Sequence, residues 1–265
     1  MRTVRATRYV TPLREGGSLP AIVEGDDEGL YVLKFRGAGQ GPRALIAELV
    51  AGELARAAGL PVPEIVFALI DADLARTEPD PEIQDLIRAS AELSDGAPAL
   101  NLALDYLPGA AAFDPLAWQP DAELASRIVW FDAFVSNLDR TPRNANMLVW
   151  HDRLWLIDHG AALYFHHASS EFDERATNPF AAIKDHVLLP LATRLGAADR
   201  TMSATLTAQR IDAVAALIPD EWLTDDPSAQ DKAAQRAAYA RYLTLRLAPP
   251  RAFAQEAERA RSLHV

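Results

Sequence analysis

The sequence predicts an α+β fold in two lobes. A small antiparallel sheet with one helix comes first, and a mostly helical lobe around a central β-hairpin follows. Three observations predict it. The first hundred residues alternate short β-rich runs with one long helical pattern. From Asp114 onward the spacing of apolar residues becomes helical. Within that helical half, Met147–Trp150 and Leu154–Ile157 are short apolar runs parted only by His151–Arg153, the pattern of a hairpin.

The elements follow in order. Val4–Val10 and Leu19–Val23 are candidate strands, and Leu30–Phe35 (LYVLKF) is a stronger one because β-formers dominate it after a turn at Gly25–Gly29. Gly37, Gly39 and Gly41 make a connector, and Pro42 opens a helix expected to reach Ala58, with Gly59 past its end. Glu64–Ile70 and Ala99–Tyr106 read as strands, the second broken by Pro108-Gly109. Between them, residues 71–98 are acidic and proline-bearing, so a solvated excursion with one short helix near Ile83–Ala91 is expected. Asp121 is a good N-cap for a helix carrying Leu124, Ile128, Phe131, Phe134 and Val135 at helical spacing. Pro179–Leu195, Ala204–Leu217 and Ala229–Leu247 are expected helices; Pro249-Pro250 stops the last of these. Arg251–Leu263 is polar and is expected on the surface. The boundary is placed at Leu107–Pro115, with lobes over 1–106 and 107–265.

Composition narrows the class. At 265 residues and 49% hydrophobic content, the chain suits one two-lobed domain or two small ones and can bury a sizeable core. It has no apolar run of about 18 residues. The first residues lack an apolar h-region, so no secretory signal is expected. With no cysteine, disulfides and thiolate metal sites are excluded, and a cytoplasmic home is expected. A net charge of −11 without a basic stripe argues against nucleic acid and anionic membranes as partners.

The chemistry is concentrated in NLDRTPRNANMLVWHDRLWLIDHG, Asn137–Gly160. Asp139-Arg140 lies on a loop after an apolar helix, Asn144 and Asn146 follow, and Asp158-His159-Gly160 ends the hairpin. Each piece has an ordinary use: aspartates before glycine cap turns, and Asp139 can N-cap a helix. The ordered set is what phosphoryl transfer requires. One carboxylate, Asp139, orients the attacking hydroxyl; an amide oxygen and a second carboxylate, Asp158, hold Mg²⁺ against nucleotide phosphates. Either Asn144 or Asn146 can supply the amide, and Asn146 stands directly before the strand.

Upstream, Lys34 interrupts an apolar strand. It must face solvent or meet an anion, because a buried unpaired ammonium is costly. Two glutamates on the next helix can hold it: Glu53, within the apolar arc, and Glu48, on a face of small residues, Ala44, Gly52 and Ala55. Glu15-Gly16-Gly17-Ser18 can cover phosphates with backbone N–H groups or be an ordinary hairpin loop. His166-His167 reads as structural or surface-exposed, since adjacent side chains rarely share one ion.

These residues together resemble the HipA-like kinases, a bacterial branch of the protein-kinase-like fold with a more distant similarity to phosphatidylinositol kinases. Leu33-Lys34-Phe35 is similar to the family's ATP-lysine strand, and Glu48–Pro63 to its helix and Leu-Pro-Val-Pro turn, which favours Glu48 as the lysine's partner. Leu104-Asp105-Tyr106-Leu107 resembles the hinge that meets adenine, which makes Asp105 and Leu107 nucleotide contacts, with Gly16, Gly17 and Ser18 in the glycine-rich loop. Asp139-Arg140 with Asn144 resembles the Asp-Arg-x-x-x-Asn loop, and Asp158-His159-Gly160 the metal-binding Asp-x-Gly segment. Pro142, Arg143 and the second asparagine depart from the pattern. The resemblance covers about Arg8 to Tyr164 and implies ATP and Mg²⁺ as cofactors, with a protein Ser or Thr as the acceptor. A non-catalytic nucleotide-binding module and adenylyl transfer on the same fold are the alternatives.

Overall fold

A computed structural model describes residues 1–13, 19–39, 41–167, 172–224 and 231–263. Five strands, β1 (Thr3–Pro12), β2 (Ala21–Gly25), β3 (Leu30–Lys34), β4 (Ile65–Leu69) and β5 (Asn101–Asp105), close into a barrel in the order β1-β2-β3-β5-β4. The expected small antiparallel sheet is therefore corrected to a closed barrel with one parallel pair. β1 runs parallel to β4, with Val4 paired to Ala68, and this one parallel seam closes the edge. Closure removes unpaired strand edges and encloses a core of Val4, Val23, Leu33 and Ala103.

The acidic stretch after β4 is not a solvated excursion. Helix α2 (Pro81–Ala91) is capped by Asp80, whose side chain accepts from the Glu82 N–H at 3.0 Å. Ile83, Ile87 and Ala91 are buried in the barrel core. The charges occupy its other face, so a segment that looks polar on average still delivers an apolar stripe. Ser90 joins it to the barrel by accepting from the Gly37 N–H at 3.0 Å.

Helix α1 (Pro42–Ala57) starts with proline and ends before Gly59, whose φ is +73°. It is buried on nearly every side, from Leu45 through Ala55, and shares one core with the helical half. That half contains α3 (Ala122–Val135), α4 (Phe172–Ala176), α5 (Leu195–Thr205), α6 (Ala208–Ala215), α7 (Lys232–Leu247) and α8 (Ala252–Ser262). A three-stranded sheet, β6 (Ala111–Ala112), β7 (Met147–Trp150) and β8 (Arg153–Leu156), holds the expected hairpin. Its turn uses His151 and Asp152 at φ +49° and +57°.

A turn from the helical half grips the barrel rim. Trp222 Nε1 donates to the Leu100 carbonyl at 2.9 Å, Glu221 accepts from the Leu100 N–H at 2.7 Å, and the Trp222 ring meets Phe67 edge-on.

Two helix expectations fail. Pro179–Leu195 is no single helix: it forms 3-10 turns at Ala181–Asp185 and Leu189–Leu191, and the α-helix begins only at Leu195. Pro190 lacks a donor and disfavours helical backbone at Leu189, so a continuous helix cannot pass. Arg251–Leu263 is not a surface helix either. Phe253, Ala257 and Ala260 of α8 are buried, and the Phe253 ring lies 5.1 Å from Trp130 and 5.7 Å from Phe134. Arg246 stands over the same ring and donates to the carbonyls of Ala133 and Phe134 at the end of α3. Phe253→Ala is accordingly expected to cost about 3–5 kcal/mol, read as a lower urea midpoint at unchanged slope.

Candidate active site

The stretch expected to carry the chemistry folds around α3. Asp121 caps its start by accepting from the Leu124 N–H at 2.7 Å, and Ser136 ends it in the left-handed region at φ +54°. The chain then turns back, so that Asp139 stands half-buried beside the hairpin. Asn144 Nδ2 donates to Asp139 Oδ2 at 2.8 Å. Asn146 Nδ2 donates to the Asp139 carbonyl at 2.6 Å and reaches its carboxylate at 3.4 Å. Both asparagines therefore converge on Asp139. Asn146 is the more constrained: its φ is +47°, and its own carbonyl accepts from the Ile157 N–H at 3.0 Å and from Arg140.

Opposite them, Lys34 bridges two carboxylates. Its Nζ lies 2.6 Å from Glu48 Oε2 and 2.5 Å from Asp158 Oδ1. Only 13% of the Lys34 side chain is exposed and none of Glu48. Burial alone would push the ammonium down, but the attraction of Glu48 and Asp158 outweighs it and holds it above the ordinary lysine range. Burial would likewise raise the Glu48 carboxyl, yet Lys34 and His159 hold it well below the usual range. The glutamate ambiguity resolves here. Glu53, the helical-wheel alternative, pairs with Arg56 three residues on at 2.7 Å, while Glu48 takes the lysine.

The small residues beside Glu48 allow this meeting. A Cβ on Gly160 would lie 3.8 Å from both the Ala44 carbonyl oxygen and Glu48 Oε2, so the Asp158–Gly160 segment passes close against α1. His159 is fully buried there, with Nδ1 3.5 Å from Glu48 Oε1 and its ring edge-on to Phe131. Asp158 itself sits at φ +55°, which turns its carboxylate toward Lys34.

A cleft of about 1410 Å³ opens over these groups, lined by Lys34, Leu104, Asp105, Leu107, Asn144, Asn146 and Asp158. Thus the residues expected at the hinge, Lys34, both asparagines and Asp158 share one cavity, whereas Asp139 is not among its lining residues. Gly16, Gly17 and Ser18 lie outside the described residues, although their neighbours Leu13 and Pro20 line the same cleft. Among the described residues no three His, Asp or Glu side chains form a metal cage. His166 is buried, with Nδ1 3.2 Å from the Tyr239 hydroxyl.

Sequence reasoning missed several residues. Thr77, Glu78 and Pro79, from the acidic stretch, reach the cleft wall. Asp132, fully buried in α3, accepts from Arg140 Nε at 2.6 Å and so holds the loop from beneath. An aspartate amid Ile128–Val135, the most apolar run of the helix, was the available signal.

The architecture is kinase-like. CtkA, a proinflammatory kinase of Helicobacter pylori, aligns over 99% of both chains at TM-score 0.53 and 11% identity, a likeness of fold. A Golgi casein kinase with Mn and ADP bound aligns over 95% of this chain and 75% of its own, at TM-score 0.49 and 13% identity. A comparison with curated proteins finds no match. The model of the HipA-like kinase family matches residues 7–248, and the chain belongs to that family. The resemblance carried by its motifs is borne out, and family and fold together support a kinase-like phosphotransferase. No described helix is long and apolar enough to cross a membrane.

Proposed function

We propose that the protein is an ATP- and Mg²⁺-dependent kinase that transfers the γ-phosphoryl group to a hydroxyl, that of a protein Ser or Thr. The observation that carries this reading is the Lys34 bridge between Glu48 and Asp158, in a cleft that Asn144 and Asn146 also line while both bond Asp139. In this reading residues 1–106 and 107–265 are the two lobes, and a cytoplasmic location suits a chain without cysteine.

The donor set fits Mg²⁺. Asp158 and the two asparagines offer hard oxygens, and Mg²⁺ is usually held by one or two carboxylates plus substrate phosphates rather than by an all-protein cage. Bound Mg²⁺–ATP supplies the transferable group and the cation that offsets its charge. The residues of the chain do the rest. Glu48 holds Lys34 where it can neutralise phosphate oxygens. Asp105 and Leu107 border the adenine side, and Gly16, Gly17 and Ser18 are read as its phosphate-covering loop. Asp139 orients the acceptor hydroxyl and takes its proton. Asn144, exposed and bonded to the Asp139 carboxylate, fixes that carboxylate's direction. Asn146, whose nitrogen is committed to the Asp139 carbonyl, keeps its oxygen for the metal beside Asp158.

Incubation with γ-labelled and α-labelled ATP, followed by mass spectrometry of the protein and of added Ser/Thr peptides, tests the reading. Label only from the γ position is expected. Label from the α position means adenylyl transfer, and none from either means a nucleotide-binding module. Repeated as a Mg²⁺ titration, the assay should show Asn146→Ala raising the half-maximal requirement about tenfold, the equivalent of about 1.4 kcal/mol, and Asn144→Ala changing it little.

A further inference from the structure

Asp132 is buried in the last turn of α3, and its carboxylate gathers three side-chain donors. Oδ2 accepts from Arg140 Nε at 2.6 Å and lies 2.9 Å from His186 Nε2; Oδ1 accepts from Asn137 Nδ2 at 3.0 Å. The His186 ring is fixed from its other side, where the Leu188 N–H donates to Nδ1 at 3.0 Å. An Nδ1 that accepts carries no proton, so the imidazole is the neutral tautomer with its proton on Nε2, donated to Asp132. Burial, against the pull of Asp132, pushes its pKa down and keeps it neutral.

The segment that carries His186 also grips the catalytic loop directly. The Val187 N–H donates to the Arg140 carbonyl at 3.0 Å. Arg140 is therefore held twice, by its main chain and by its counterion. Its Nη1 donates in turn to the carbonyl of Asn146, and the Asn146 side chain donates to the Asp139 carbonyl. One hydrogen-bonded path runs from His186 through Asp132 and Arg140 to the two residues at the reacting end. A buried ion pair adds little net stability compared with apolar packing of the same volume. What this one supplies is direction, because the buried carboxylate fixes the orientation of Arg140, His186 and Asn137 together.

We propose that Asp132 and His186 are positioning residues for phosphoryl transfer: they set Arg140, and through it the main chain of Asn146 and the carboxylate of Asp139. The proposal rests on the kinase reading above, and deepens it. Its force comes from the sensitivity of transfer to placement, where an error of about 1 Å costs about 100-fold in rate.

The test compares His186→Leu, which removes the donor to Asp132, with His186→Gln, whose longer amide can restore it. In the full-length protein, His186→Leu should lower kcat about 100-fold with KM for ATP changed by less than about threefold, and His186→Gln should recover most of the loss. Side-chain amide resonances of Asn144 and Asn146 give a readout that needs no activity. They should move in the Leu variant and return in the Gln variant, even if the wild type transfers nothing, which would sink the kinase reading alone. If the Leu variant does not fold, His186→Asn replaces it, since its shorter amide can accept from Leu188 but falls short of Asp132. Unchanged kcat and unchanged Asn resonances in a folded variant, or Gln no better than Leu or Asn, would overturn the proposal.

Discussion

Asp139→Asn is expected to bind nucleotide as the wild type does and to transfer phosphoryl about 10²- to 10⁴-fold more slowly, the usual contribution of a positioned general base. The substitution keeps the size of the side chain. It also keeps an oxygen that can accept from Asn144, which now bonds Asp139 at 2.8 Å. The loop below is untouched, because Asn146 holds the main-chain carbonyl and Arg140 is fixed by Asp132. What disappears is the capacity to accept the acceptor's proton. Single-turnover transfer and a thermal melt on the same preparation check it. A collapsed melting temperature would make Asp139 a structural cap, and an unchanged rate would remove it from the chemistry.

Asp158 should behave in the opposite way. Asp158→Ala is expected to abolish the Mg²⁺-dependent stabilisation by ATP while leaving a folded chain, since Lys34 keeps Glu48 at 2.6 Å. In the wild type, nucleotide at about 100 times Kd should add about 2.7 kcal/mol, a rise in melting temperature on the order of 5–10 °C. Because Asp158 has φ +55°, alanine there also strains the backbone. Asp158→Asn, which tolerates that conformation, separates the two effects. It should melt close to the wild type without ligand and still lose most of the Mg²⁺-dependent shift. A full shift in both variants would place the metal site elsewhere.

How much of this was legible varies by residue type. Lys34 in an apolar strand and Glu48 on a small-residue face each broke a local pattern, and a broken pattern shows in a single sequence. The Asp139–Asn146 loop and Asp158 were legible because the hairpin that spaces them is local. Glu48 was preferred to Glu53 on the family resemblance, and the fold agrees: Lys34 meets Glu48 at 2.6 Å while Glu53 pairs with Arg56. His186 gave no signal at all, since its partner Asp132 is distant in sequence and the run around it was read as an unbroken helix.

By itself the sequence determined the strand and helix inventory of the first half, the hairpin, and the candidate site residues gathered at Asn137–Gly160. These depend on period, caps and turn residues, which act over a few positions. Only the tertiary structure decided that the sheet closes through a parallel β1–β4 seam, that α2 seals the barrel, and that α8 enters the core on Phe253. Each of these depends on which surfaces meet. A polar average hides an apolar stripe until another element buries it, and a strand edge shows no partner until the chain returns to it.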